Sequence, residues 1–284
     1  MPFRLDRAFI RVSGPDAVSF LDNLLTQDVT KIDAHGVLYA ALLSPQGKII
    51  TDMFVWDEKD RGEPSLLLEL DPSRAENLLR RLTMYKLRAQ VTLADVSGEV
   101  QAVFDQSAFS SDLPDPRFTE HQLGWRDFVT FPIDFADGAA AYEAHRLALG
   151  VPDLARDCAP EEVFAGEALL EELNGVDFHK GCFVGQENTS RMKRRATTRK
   201  KFCPIVFEGP APAYDAVISA GAAEIGRVRT GGEGRAIALL RLDRALAAAE
   251  DGVQLTAEGR EIRLDPPDWL ILPQREAPRG GGAD

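Results

Sequence analysis

Apolar positions along this chain change period several times, and each change marks an element. In "SGPDAVSFLDNLLTQDV" they recur at helical spacing as Ala17, Phe20, Leu21, Leu24 and Leu25. Pro15 fits the first helical position after Ser13 and Gly14, and Asp16 suits the positive end of the helix dipole. The pattern predicts an amphipathic helix running into the polar turn Thr26-Gln27-Asp28. "VLYAALLSPQGKIITDMFVW" is instead two apolar runs about Ser44-Pro45-Gln46-Gly47. Proline presets one turn dihedral there and glycine permits another, which predicts a hairpin. "SLLLELDPSRAENLLRRLTMY" reads as a strand and then a helix, with Asp71 as N-cap, Pro72 in the first turn and Ala75, Leu78, Leu79 and Leu82 on one face. Strand, hairpin and helix together define an α+β layer.

From 105 to 127 the text turns to Ser, Asp and Pro and predicts a long connection or a crossing between lobes. "DGAAAYEAHRLALGVP" predicts a helix stopped by Gly150 and Pro152. In "PEEVFAGEALLEELNGV" the spacing of Leu169, Leu170 and Leu173 predicts a helix that Asn174-Gly175 ends. After Lys201 the runs "FCPIVFEG", "AVISAGAAEIGRVRT", "RAIALLRLD" and "VQLTAEGREIRL" alternate with Gly-rich turns, as in a barrel or sandwich. The expected organisation is a bipartite α+β region over 1–200, a β-barrel over 201–273 and a disordered tail over 274–284.

Composition narrows the choices. With 284 residues the chain exceeds a single module of about 100 to 200 residues. A net charge of -12 argues against a surface built throughout for a polyanion, so direct nucleic-acid binding is not expected. Cys158, Cys182 and Cys203 are odd in number and lie far apart without a C-x-x-C, which points to reduced thiols of a cytoplasmic protein and to no metal site. No stretch reaches the roughly 18 to 20 apolar residues of a membrane span.

The chemistry concentrates in "HKGCFVGQENTSRMKRR", 179–195. Gly181 and Gly185 bracket Cys182, and glycine serves where a chain turns sharply or something approaches its backbone. Gln186 and Glu187 open a predicted helix with its acid in the first turn. Cys182 then precedes a helix N-terminus, with Lys180 on one side and Arg191, Lys193, Arg194 and Arg195 on the other, a field that favours thiolate. The alternative is a small buried hydrophobe, because free cysteine is among the most often buried residue types. His35, His121 and His145 read as structural or solvent-facing, and His179 as a neighbour of Cys182 in sequence only. The acid-free basic run over 191–201 reads as a solvated face, or as a patch for an anionic ligand or for RNA.

The octapeptide "KGCFVGQE" resembles the K-G-C-[FY]-x-G-Q-E signature of the YgfZ-type folate-binding proteins, bacterial relatives of the mitochondrial iron-sulfur assembly factor within the aminomethyltransferase superfamily. "LLTQDV", "LYAALLSPQGKIITDMFVW", "DPR" followed by "LGWR", "RLALGVP", "AEIGRVRT" and "AIALLRLDRAL" are similar to that superfamily in the same order, so the resemblance covers all but the tail. It implies an α+β fold, two α+β lobes and a C-terminal β-barrel arranged as a ring around a central cavity for tetrahydrofolate. It implies an accessory factor for iron-sulfur cluster assembly or repair, whose partners are cluster carriers or client enzymes, tRNA-modifying ones among them. Cys182 is then the functional thiol, Lys180, Gly181, Gly185, Gln186 and Glu187 shape its loop and line the cavity, and Asp52 contacts the folate. The aminomethyltransferase branch carries an Asp-Asp pair where this chain has Thr51-Asp52. One carboxylate does not do the work of two, which weighs against folate-dependent aminomethyl transfer as the alternative activity.

Overall fold

A computed structural model describes residues 2–273 apart from 60–61, 107–112, 119–122, 131–133, 135 and 196–197. His121 and the tail over 274–284 lie outside the described residues. The first sheet is five-stranded and antiparallel. Its strands are β2 (Ala8–Ser13), β3 (Val37–Leu43), β4 (Ile49–Asp57), β5 (Ser65–Leu70) and β6 (Thr92–Asp95), in the order β3-β4-β5-β2-β6. The predicted hairpin is β3-β4, closed by a hydrogen bond from the Gly47 amide to the Ser44 carbonyl. On one face lie α1 (Ala17–Asp22), the short α2 (Ile32–His35) and α3 (Pro72–Lys86), which bury Phe20, Leu21, Ile32, Leu78 and Leu82 against Ile10, Val55 and Leu68. Asp71 caps α3 by accepting from the Ser73 amide at 2.9 Å, as its position predicted. The helix α1 is shorter than its apolar spacing suggested, because Leu24 and Leu25 enter the same core from the turn that follows.

The other face of this sheet looks into a second core that runs without a break through the rest of the molecule. There β1 (Phe3–Leu5), β7 (Gln101–Asp105) and β8 (Trp125–Val129) form a three-stranded antiparallel sheet in the order β1-β7-β8, beside α4 (Ala139–Leu149) and α5 (Leu154–Asp157). The polar stretch read as a connection from 105 to 127 therefore ends in a strand. Within it Asp115 and Arg117 are buried, and Asp115 accepts from Arg117 Nε at 2.9 Å and from Arg126 Nε at 2.8 Å. Arg126 also pairs with the buried Glu69 on β5, which accepts from the Trp56 indole at 3.0 Å and from Arg7 at 3.1 Å. The Arg126 guanidinium stacks 3.9 Å from the Phe54 ring, so this charge network joins both sheets through one desolvated seam.

The third part is a closed barrel of β9 (Lys200–Val206), β10 (Val217–Ala220), β11 (Ala223–Gly231), β12 (Arg235–Arg241), β13 (Leu255–Ala257) and β14 (Arg260–Leu264), in the order β10-β11-β12-β9-β14-β13. The architecture is thus mixed α+β with antiparallel sheets and a six-stranded C-terminal barrel. One predicted helix is absent. Residues 160–176 form successive turns in which Glu161, Leu169 and Asn174 adopt φ of 62°, 62° and 52°, and these left-handed residues interrupt any helical ladder. Leu169, Leu170 and Leu173 are still fully buried, so their spacing reported burial and not helicity.

Candidate functional site

The cysteine motif is held from three directions. Asp177 accepts from the His179 amide at 2.7 Å and pairs with Lys31 at 2.6 Å, which steers the chain toward the C-terminal end of α1. Lys180 then inserts its side chain, 1% exposed, among the carbonyls of Asp22, Leu25 and Gln27 at 2.5, 2.9 and 2.8 Å, with the Asp22 carboxylate at 3.0 Å. The Asp22 carbonyl is one that the end of α1 leaves without a helical partner, and those of Leu25 and Gln27 belong to the turn that follows. Beyond the cysteine, Phe183 is buried and α6 (Gln186–Arg194) begins as predicted.

Gly185 caps α6 at φ 82° and lies against the tip of the β3-β4 hairpin, where a Cβ would come within 2.6 Å of the Ser44 carbonyl and 3.0 Å of the Gly47 Cα. Only glycine fits. Asn188 on α6 donates to the Gln46 carbonyl at 2.9 Å and completes the clamp on the hairpin. Gln186 donates to the Gly181 carbonyl at 3.2 Å, while Gly181 and Glu187 face solvent. Cys182 stands exposed on this tethered loop. Cys158 and Cys203 are buried, and burial pushes both thiols up to about 12.

Two adjoining cavities, of about 920 and 490 Å³, share Phe118, Glu171 and Asn174. All parts of the chain contribute to their walls: Gln27 and Val37 from the first sheet's layer, Arg117 and Leu149 from the second, and Arg235 and Trp269 from the barrel end. The cysteine segment contributes Phe178, His179 and Lys193. Lys180, Gly181, Gly185, Gln186 and Glu187 are not among the residues lining these two cavities. Lys180 is held in its carbonyl cage, and Gly185 lies against the hairpin.

Asp52 points into the second core on β4 and accepts from the Tyr39 hydroxyl at 2.9 Å. Burial raises its pKa, opposed by the nearby Arg7 cation. It lines neither cavity, although Tyr39 lies 5.7 Å from the guanidinium of the cavity residue Arg117. Five residues along β4 from Gly47, or about 17 Å, separate it from the hairpin tip that carries the cysteine motif. Thr51 is buried beside it and offers no second carboxylate.

The basic run does not act as one patch. Lys201 is buried against Glu172 and the Ile271 carbonyl, Lys193 pairs with Glu171 over the Phe178 ring, and Arg191, Arg194 and Arg195 remain on the exposed end of α6. Part of the run, 196–197, lies outside the described residues. Among the described residues no three His, Cys, Asp or Glu side chains converge as a metal site. Arg117 and Asn174 entered the sequence reading only within a family-like segment and as a helix stop, and Trp269 not at all; none was read as a cavity residue. Nothing in their local pattern separates a buried arginine or a cavity tryptophan from an ordinary surface one.

The whole architecture has an aminomethyltransferase-like fold. The crystal structure of glycine cleavage system aminomethyltransferase T from Bartonella henselae superposes with a TM-score of 0.73 over 96% of this chain and 86% of that one, at 17% identity, a likeness of fold alone. Residues 199–271 match the family described as CAF17, C-terminal beta-barrel domain. The iron-sulfur cluster assembly factor IBA57, mitochondrial, of Mus musculus is 32% identical over 84% of this chain and 77% of its own length, and that of Homo sapiens 29% identical over 94% and 84%. The homolog of Neurospora crassa is 30% identical over 72% of this chain. The chain spans about half the length of the fungal relatives, 54% in that case. The protein belongs to the IBA57/CAF17 family of iron-sulfur cluster assembly factors, whose bacterial members are the YgfZ-type proteins.

Proposed function

We propose that this protein assists the assembly or repair of iron-sulfur clusters in client enzymes, tRNA-modifying ones among them. In this reading Cys182 offers its sulfur to a cluster-bearing partner, and tetrahydrofolate occupies the cleft where the lobes and barrel meet. The observation that carries the reading is the contrast among the thiols. Cys182 alone of the three is exposed, on a loop anchored by Lys180 and Gly185, whereas Cys158 and Cys203 are locked in the core. A thiol that exchanges a cluster with another protein needs that exposure and that rigid footing.

The cleft residues fit a reduced folate. Each of its two cavities falls in the size range of small-molecule sites, roughly 300–1,000 Å³. Phe118 and Trp269, edge to face at 5.4 Å, offer an aromatic wall to a pterin, and Asn174 and Glu171 offer amide and carboxylate groups to its ring nitrogens. His179 and Lys193, on the wall of the smaller cavity, offer donors to the carboxylates of a glutamate tail. Bound tetrahydrofolate would supply a reduced pterin able to carry a one-carbon unit. Gly181, Gln186 and Glu187 then belong to the partner-facing loop, and Asp52 acts on the cleft only through Tyr39 and Arg117. The mitochondrial location of the eukaryotic relatives is theirs. For this chain the reading is cytoplasmic, supported by three unpaired thiols, and no described helix is long and apolar enough to cross a membrane.

The test pairs ligand binding with cluster transfer. Tetrahydrofolate should raise the melting temperature by an amount that grows with the logarithm of its concentration above Kd, and Trp269→Ala should reduce that rise. Under anaerobic conditions Cys182→Ala should bind folate normally but fail to support cluster transfer to an apo client. Full transfer by the alanine variant would remove Cys182 from the function, and no calorimetric binding of tetrahydrofolate would remove the cleft.

A further inference from the structure

Cys182 lines neither cavity of the cleft, yet both stems of its loop do. Asp177, Phe178 and His179, just ahead of the thiol, belong to the wall of the smaller cavity, and Lys193 on α6 reaches the same wall from beyond it. The Lys193 ammonium pairs with Glu171 and stands 4.0 Å from the centre of the Phe178 ring, and both partners line that cavity. About 10 Å of helix separates Lys193 from Gln186. Gln186 in turn donates to the Gly181 carbonyl at 3.2 Å and closes the loop that carries Cys182. The start of α6 is lightly held. Its amide bonds from Gln186 to the Phe183 carbonyl and from Thr189 to the Gly185 carbonyl measure 3.2 and 3.3 Å, at or beyond the long end of the usual range of about 2.7–3.2 Å. Beneath the helix Thr189, Met192 and Lys193 border a small cavity of about 50 Å³ against Phe164 and Val176, so the packing there leaves α6 room to shift.

We infer that Lys193 is a positioning residue through which the occupant of the smaller cavity sets the order of the Cys182 loop. The inference rests on the reading of this cleft as the folate site. Without a ligand, Lys193 and Glu171 are 43% and 37% exposed, and an ion pair so wet holds α6 only weakly to the wall. A ligand seated against Phe178 and His179 excludes water from that pair and gives the ammonium a second acceptor, which strengthens the tie between the two stems. The start of α6 and the thiol loop then become ordered together. Folate and the thiol are coupled in this way without touching, as two sites on one element whose order both depend on.

Amide hydrogen exchange of the segment over 183–190, followed anaerobically in the full chain with tetrahydrofolate as the probe, tests the inference. No residue of that segment lines either cavity of the cleft, so the ligand cannot shield it directly. Saturating tetrahydrofolate should slow its exchange by about fivefold or more, the lower end of ordinary coupling between sites. Lys193→Met without ligand should exchange about two- to fivefold faster than the parent, the weight of one exposed ion pair, and should melt within about 2–4 °C of it. At a folate concentration that calorimetry shows to saturate each variant, the slowing should be lost in Lys193→Met and kept in Lys193→Arg. Folate binding that leaves the exchange unchanged, or equal slowing in the Met variant, would overturn the proposal. If calorimetry detects no folate binding, the folate reading falls by itself, and equal exchange of the parent, Met and Arg proteins without ligand would remove Lys193 as well. Should the Met variant melt far below the parent, the parent with and without ligand decides.

Discussion

Lys180 opens the cysteine signature, and its place in the fold makes it a structural clamp. Replacing it with Met keeps the length and the apolar stem but removes the ammonium. Three carbonyls, those of Asp22, Leu25 and Gln27, lose their donor in a site where the side chain is 1% exposed. Each buried acceptor left without a partner costs about 1 kcal/mol or more. Asp22 is 20% exposed, so its ion pair adds little beyond that. The sum is about 3 kcal/mol, at the lower end of the range of about 3–5 kcal/mol for breaking a buried charged contact. At about 2–4 °C per kcal/mol for a large domain, the melting temperature should fall by about 6–12 °C. Lys180→Arg should not restore it, because a planar fork cannot meet three carbonyls converging on one point. Calorimetric melting with limited proteolysis of the loop over 174–185 reads both the global and the local effect. A Met variant that melts close to the parent, yet loses folate binding or cluster transfer, would refute the clamp and return Lys180 to the ligand.

Three further outcomes follow from the same geometry. Iodoacetamide should modify one thiol per native chain, at Cys182, since Cys158 and Cys203 are buried with thiols at about 12; comparable labelling of either by peptide mapping would contradict the burial. Burial alone would raise the Asp115 carboxyl, but Arg117 and Arg126 outweigh it and hold it at about 2. The stability this carboxylate contributes is therefore present above the unfolded value of about 4 and is lost as pH falls through about 2, worth about 2 kcal/mol; carboxyl carbon shifts showing Asp115 protonated by about pH 4 would break the argument. Leu87 is 89% exposed at φ 37° and ψ -97°, a conformation costing about 1–3 kcal/mol, so Leu87→Gly should raise stability by about 1 kcal/mol after glycine's own entropy, and a lower urea midpoint would count against it.

Much of the architecture is a local matter and was legible as such. The hairpin over 37–57, the capped helix α3, the glycine-stopped helix α4 and the start of α6 all follow from apolar period and turn or cap residues acting within a few positions. The barrel strands were visible for the same reason. The failures share a cause. The leucines of 160–176 are spaced like a helix, but left-handed residues break the backbone there and the side chains reach the core from separate turns. The helix over 242–250 went unseen because it follows a strand without an intervening turn and is built largely of alanine, whose helical face carries little contrast.

At the candidate site, sequence alone singled out Cys182 and the glycines around it, because a short run of rare residue types is informative without any fold. What each residue does was decided by contacts between positions far apart in the chain. Lys180 meets carbonyls more than 150 positions away, Gly185 meets the tip of a hairpin, and Arg117 and Arg126 become one buried network only when β5, β8 and the turn at Asp115 come together. A lysine or arginine reads the same in sequence whether solvent or three carbonyls surround it. Desolvation and pairing are properties of the folded surroundings, and only the tertiary structure supplies them.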